Sequence, residues 1–262
     1  MIRVKDICRA IEAYAPLTLQ ESYDNAGLQV GNPDSTVSAV LLCLDVTEET
    51  IKEAKERRCN LIVSHHPLIF KGLKSLTGAD QTQRIVMEAL REGISIYSAH
   101  TNLDSTNEGV SYEMAHLLNL KNLEVLVPSE CDPKVGLGIV GYYDNPVPQL
   151  EFLRKVKETF SVRALRYSAQ SQTLVVRKVS LCGGSGAPFI GNALACKADA
   201  YLSGDIKYHD YTTYGLDMLI ADIGHYESEL CSRRILSRII REAQPDCVTY
   251  FSESETNPIK IL

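Results

Sequence analysis

Long apolar runs, Cys-x-x-Cys pairs, low-complexity tracts and an excess of positive charge are all missing from this 262-residue chain. No apolar stretch is long enough to span a bilayer. The opening residues, Met1-Ile2-Arg3-Val4-Lys5-Asp6, lack the apolar segment of a secretory signal. The expected location is therefore cytoplasmic, with no membrane partner. A formal net charge of −6 opposes non-specific binding to nucleic acid or to an anionic membrane, so nucleic acid is not an expected partner. The one basic stretch (Arg154, Lys155, Lys157, Arg163, Arg166) is diluted by Glu151 and Glu158 and reads as a solvated helix face. Eight cysteines, at 8, 43, 59, 131, 182, 196, 231 and 247, are scattered. They read as reduced, mostly buried small hydrophobes, which sets aside zinc-ribbon and disulfide scaffolds.

What is present is an alternation of helical and strand periods. Val4, Ile7, Cys8, Ile11 and Tyr14 fall at helical spacing and predict an amphipathic helix ending before Pro16. Residues 37–45 predict a strand, and Thr47 an N-cap for the helix after it. Strands over 61–64 and 94–98 bracket a helix over 81–91. Strands separated by helices of this length indicate βαβ units and a largely parallel sheet. The second half echoes the first. Cys43 to Ser64 and Cys182 to Ser203 each span 21 residues from one strand to the next. In each half a further strand then ends in a His and, four residues on, a carboxylate: His100 with Asp104, and His225 with Glu229. The expected fold is α/β, two related halves with mixed, largely parallel sheets facing a shared dinuclear metal cleft. The expected domains are 1–126 and 127–262, the last helix of the second packing back near the first.

The densest chemistry lies in Leu61-Ile62-Val63-Ser64-His65-His66-Pro67. A run of strand formers delivers two of the chain's six histidines to its carboxyl end, where α/β proteins place ligands. Each feature alone has a plainer reading. One histidine of the pair can pack while the other is solvated, since side chains alternate along a strand. His225–Glu229 can be a capping pair, and Asp104 can cap a helix beginning near Ser105. Together, three strand ends deliver His65, His66, Asp104, His225 and Glu229, all imidazole or carboxylate. Five ligands exceed the needs of one catalytic zinc. They suit two divalent ions per subunit, zinc, iron, manganese or cobalt, with the donor set not choosing among them.

Five motifs, in order, resemble the NGG-one-interacting-factor-three-like family. They are Glu21-Ser22-Tyr23-Asp24-Asn25-Ala26-Gly27-Leu28-Gln29-Val30-Gly31, Ser64-His65-His66-Pro67, His100-Thr101-Asn102-Leu103-Asp104, Ser203-Gly204-Asp205-Ile206-Lys207-Tyr208-His209 and Gly224-His225-Tyr226-Glu227-Ser228-Glu229. The resemblance runs to the Glu255-Thr256-Asn257-Pro258 tail. It implies a two-domain α/β protomer, a dinuclear metal site on the same five ligands, and a ring-shaped homohexamer. Bacterial members commonly carry the description GTP cyclohydrolase 1 type 2 homologue. Many members hold an inserted middle domain for which this chain has no room. The family's usual Trp before Asp-Asn is Tyr23 here, which keeps an aromatic ring and loses the indole N–H.

Two functions of different class follow. In the first, the protein is a metal-dependent hydrolase of a small molecule of the nucleotide kind. GTP is one case: a metal-bound hydroxide would attack its imidazole C8, with His100 or His209 moving protons through ring opening and formate loss. In the second it handles metal without turnover, or serves as a ring-shaped interaction scaffold. Asp205, Lys207 and His209 end the strand equivalent to that of His65–His66, and are candidates to touch substrate. Gly183-Gly184-Ser185-Gly186 can cradle a phosphate or make a tight strand-to-helix turn; lacking Lys-Ser/Thr, it favours the turn. His116 reads as a packed or surface histidine.

Overall fold

A computed structural model describes residues 1–129, 132–168 and 174–262. In chain order the elements begin with α1 (Val4–Tyr14), β1 (Gly27–Val30), β2 (Val40–Cys43), α2 (Glu48–Glu56), β3 (Leu61–Ser64), α3 (Gln81–Arg91), β4 (Ser95–Ser98) and α4 (Thr101–Ser105). Next come α5 (Val110–Leu117), β5 (Lys121–Pro128), β6 (Gly136–Pro148), α6 (Gln149–Thr159), β7 (Arg166–Tyr167), β8 (Val175–Leu181), α7 (Ile190–Ala195), β9 (Ala200–Ser203), α8 (Tyr208–Tyr214), β10 (Leu219–Asp222) and α9 (His225–Glu229). The chain closes with α10 (Ser232–Ala243) and β11 (Thr249–Phe251).

The elements form two compact units, Met1–Leu103 with Ser232–Pro258, and Asp104–Cys231 with Ile259–Leu262. Against an expected boundary at 126/127, the chain passes from one unit to the other inside α4. Segment 104–126 goes with the second unit because α5 packs on β5, β6 and β8. Helix α9 stops at Glu229 and α10 starts at Ser232, where the chain returns to the first unit.

In the first unit the sheet order is β1-β4-β3-β2-β11. All pairs are parallel except β1 with β4. Its inner strands β2, β3 and β4 are buried at every residue because helices cover both faces. Leu41, Cys43, Ile62 and Ile96 pack with Ile51, Ala54, Ile85, Val86 and Ala89 of α2 and α3. The alternate residues Leu42 and Val63 are fully buried too, and α1 and α10 pack together, α10 also against β2. Caps set the helix starts. Thr47 accepts from the Thr50 amide at 3.2 Å, and Asp80 accepts from the Gln83 amide at 2.8 Å. The strand expected over 37–45 is shorter, because the amides of Val37 and Ser38 bond to Ile2 and to the Asn60 side chain instead.

Register places the chemistry. Cys43 pairs with Ser64, and Ser64 with Ser98, so β2, β3 and β4 end level. Asp45, His65–His66 and His100 therefore leave one edge of the sheet, its carboxyl edge.

The second unit repeats this core as β7-β10-β9-β8, with β6 and β5 beyond it. β8, β9 and β10 are parallel, and β10 meets β7 antiparallel as β4 meets β1. The added pairs β5–β6 and β6–β8 are antiparallel, so this sheet is more mixed than the first. Level strand ends again set out loops: Gly183 after β8, Gly204-Asp205 after β9, Gly224-His225 after β10.

The seven described cysteines are free, and all but Cys196 are buried; Cys131 lies outside the described residues. Arg154 and Lys157 are exposed on α6, as expected of a solvated helix face, but Arg163 and Arg166 lie beyond its end and Arg166 pairs with the buried Asp222. Lys155 instead donates to Leu118 O and lies over the Tyr143 ring. Among the described residues no helix is long and apolar enough to cross a membrane.

Glu53 of α2 ties the segment after β11 to the first unit. Its carboxylate accepts from the Ser252 hydroxyl, from the Glu253 and Ser254 amides and from the Ser254 hydroxyl, and it pairs with Arg57. Burial works to raise its pKa, but these donors outweigh that and hold it at about 2, against an ordinary 4.5. A carboxylate depressed on folding stabilises the protein above its unfolded pKa, and that stability is lost as pH falls toward the folded one. We expect about 3 kcal/mol to disappear between pH 4.5 and pH 2. Urea unfolding of wild type and Glu53→Gln across that range checks this. Parallel pH slopes in the two proteins would refute it.

Candidate functional site

In the first unit the rings of His65, His66 and His100 meet one another, with centroids 5.2, 5.4 and 5.6 Å apart. Each offers one ligand atom, and the three atoms lie within 4.8 Å of one another, a group able to hold a metal ion. His65 is fully buried and His66 partly so. Of the expected residues, this unit thus brings together the histidine pair and His100.

Every ring is held from behind. His65 Nδ1 donates to Ala99 O at 2.7 Å. His66 Nδ1 donates to Asp45 Oδ1 at 2.8 Å, and His100 Nδ1 to Asp24 Oδ1 at 2.8 Å. A carbonyl or carboxylate oxygen only accepts, so Nδ1 carries the proton and Nε2 keeps its lone pair. That is the tautomer a metal ligand needs, fixed by the outer partners that orient such ligands.

Asp24 is the most heavily used of those partners. Its side chain is fully enclosed, and besides His100 it accepts from the Thr101 amide at 3.0 Å and from the Thr101 hydroxyl. Burial favours its neutral form, but the bonds from His100 and Thr101 outweigh that and hold its pKa at about 2. Asn102 completes the turn, donating to Ala15 O at 2.7 Å and accepting the His100 amide at 3.0 Å.

The second unit holds Asp104, His225 and Glu229. Asp104 lies inside α4, not ahead of a helix starting near Ser105, and α5 is preceded by Gly109 instead. Asp104 and Glu229 both act on the buried thiol of Cys182. Its pKa is pushed far up, first by burial and then by these two negative charges. His225 and Glu229 sit one helical turn apart, as their spacing predicts, with Nε2 and Oε2 2.9 Å apart. His225 Nδ1 meets Asp205 Oδ2 at 2.7 Å. With Nδ1–H given to Asp205, the Nε2 lone pair faces a carboxylate. Two lone pairs so close are reconciled by a cation, proton or metal, and the residues fit a divalent ion.

The glycine run makes room for this pair. A Cβ at Gly184 would overlap the Glu229 carboxylate, and one at Gly204 the backbone of His225. The amides of Gly183, Gly184 and Gly186 are already engaged by the hydroxyls of Ser111, Ser228 and Ser203. With three of its four amides taken, the run is a packed strand-to-helix turn, as the missing Lys-Ser/Thr favours.

Asp205 holds His225, and its own pKa is lowered by the Ser185 hydroxyl and His225 against the upward pull of burial. His209 opens α8 exposed, its ring against Tyr208. Among the described residues it joins no group of three possible ligands. Lys207 is exposed, and His116 meets Glu108 at 2.9 Å on the surface. Sequence reasoning missed Asp24 and Asp45 as partners of histidine and gave Asp205 to substrate. Asp45, directly past a strand end, carried the signal that was available.

Asp205→Ala is expected to weaken metal binding about 10–100-fold while leaving the fold intact, since that side chain is half exposed. Competition against a chelating dye measures it, and wild-type affinity in the variant would exclude an orienting role.

Residues 2–258 match the Duf34/NIF3 (NGG1p interacting factor 3) family. A Lactococcus lactis protein named GTP cyclohydrolase 1 type 2 homolog is 36% identical over 265 residues, covering 98% of each chain. The Helicobacter pylori protein named GTP cyclohydrolase 1 type 2 is 31% identical over the whole of both chains. The crystal structure of a Bacillus cereus protein related to NIF3 shares the fold, with a TM-score of 0.90 at 23% identity over 100% of this chain and 99% of that one. The chain belongs to the DUF34/NIF3 family.

Proposed function

We propose that this protein is a metal-dependent hydrolase of a nucleotide or similar heterocycle, in which His65, His66, Asp104, His225 and Glu229 hold two divalent ions. The observation that carries it is the common arrangement of the imidazoles. His65, His66 and His225 each have Nδ1 bonded to an oxygen, which places the lone pair a metal ligand uses on Nε2. The nitrogen and oxygen donors suit zinc, iron, manganese or cobalt. When bound, such a pair lowers the pKa of water and neutralises charge building on a substrate.

The chain's own residues divide the remaining work. Asp24, kept ionised, orients His100, whose Nε2 takes up or returns a proton at the substrate. His100 has this role rather than His209, because it belongs to the histidine cluster. Asp45 and Asp205 hold His66 and His225 in the ligating tautomer. The substrate class is carried by the relatives' names. For GTP, hydrolysis opens the imidazole ring and releases C8 as formate. A ring-shaped homohexamer belongs to the same proposal and is checked by light scattering.

The test is formate release from GTP by metal-loaded protein, expected in wild type and abolished in His65→Ala. No turnover of any nucleotide, with metal still bound tightly, would refute the hydrolase and leave a metal-handling protein.

A further inference from the structure

One motif exceeds what the ligands require. In Tyr23-Asp24-Asn25, with Gln29 beyond it, three polar side chains hold down the turn and the loop after His66. Asp24 is bonded to His100 and Thr101. Asn25 Nδ2 donates to Ile69 O at 2.5 Å, and Gln29 Oε1 accepts the Ile69 amide at 2.9 Å. The effect is to fix Phe70, the next residue, and Tyr23 side by side, with ring centroids 6.4 Å apart. Phe70 in turn meets the His100 ring edge-on at 6.3 Å.

Both aromatic rings are open to solvent, Tyr23 at 63% and Phe70 at 43%. A solvent-facing aromatic face held in place by its neighbours suits a flat π-system by stacking. The ring contact with His100 means that whatever stacks here lies beside the histidine cluster. Lys71, next in the chain, is exposed and makes no ion pair among the described residues. It offers a cation to an anionic tail on the stacked ring.

We propose that Tyr23 and Phe70 form an aromatic platform for the substrate's planar heteroaromatic base, which stacks on one ring and meets the other, inclined at 54°, with its edge, and that Lys71 lies beside its phosphate. This rests on the hydrolase proposal for its substrate class, and it supplies the base-recognising surface which that proposal lacks. The rings determine specificity; they carry out no chemistry.

The experiment is calorimetric titration of the manganese-loaded full chain with guanosine monophosphate and with ribose 5-phosphate. Wild type is expected to prefer the nucleotide. A Tyr23→Ala, Phe70→Ala double variant should lose about tenfold or more in nucleotide affinity, with ribose 5-phosphate binding and metal content unchanged. Tyr23→Trp should retain the preference, and Lys71→Ala should weaken both ligands alike. Equal binding of the two ligands by wild type, no nucleotide binding, or an unaltered double variant would overturn the platform. Nucleotide binding that depends on the two rings, without turnover, keeps the platform and removes the hydrolase. GTP turnover with unchanged kcat/KM in the double variant does the reverse.

Discussion

His65→Ala should cost the protein more of its metal than any other single change. The ring is fully buried at the end of β3, and its Nδ1 is fixed by Ala99 O at 2.7 Å. Loss of an outer partner alone costs 10–100-fold in affinity, so loss of a ligand should exceed about a hundredfold. Metal stabilises whatever state binds it, so the gain in melting temperature on adding metal should shrink or vanish in the variant. The metal-free proteins, compared with each other, separate this from the cavity that alanine leaves. Wild-type loading in His65→Ala would remove the residue from the site.

Glu255→Ala should have the largest effect on stability. The side chain is 3% exposed, accepts the amides of Leu44 at 2.5 Å and Asp45 at 2.8 Å, and pairs with Arg233 at 3.0 Å. Burial pulls its pKa up, against those two amides and Arg233. Alanine would strand two amides and remove the counter-charge of a guanidinium that is itself 16% exposed and would keep only the Ser252 carbonyl and the Phe251 ring. Breaking a buried pair from one side costs about 3–5 kcal/mol, which urea unfolding would read directly. A loss under about 1 kcal/mol would mean that the carboxylate is readily replaced by water. Metal affinity should fall as well. The Asp45 backbone that Glu255 fixes carries the carboxylate holding His66, so Glu255 positions a ligand from two bonds away.

Much of this was legible in the sequence, for identifiable reasons. The boundaries of α1, β3 and α3 follow from apolar spacing, Pro16, Asp80 and Gly93, which act within a few residues. His65–His66 stood out because two imidazoles at a strand end are rare in a chain with six. The matched 21-residue offsets correspond to a real repeat, since β2-β3-β4 and β8-β9-β10 are both parallel triplets with an antiparallel strand beside the third.

What was not legible depends on long-range pairing. Asp24 lies 76 residues from His100, and Asp45 21 residues from His66. Only strand register brings them together. The strands β5 and β6 escaped notice because their burial does not alternate cleanly; β5 is mostly exposed or half-buried. The division of the chain at α4 is equally invisible, since Leu103 and Asp104 belong to one short helix whose periodicity is unbroken.

The central claim is a pair of ions on five ligands. Its most direct test is the metal content of the full chain at saturation, measured by elemental analysis against protein concentration. The account predicts two ions per chain. One ion or none at saturating zinc, iron, manganese and cobalt would contradict it.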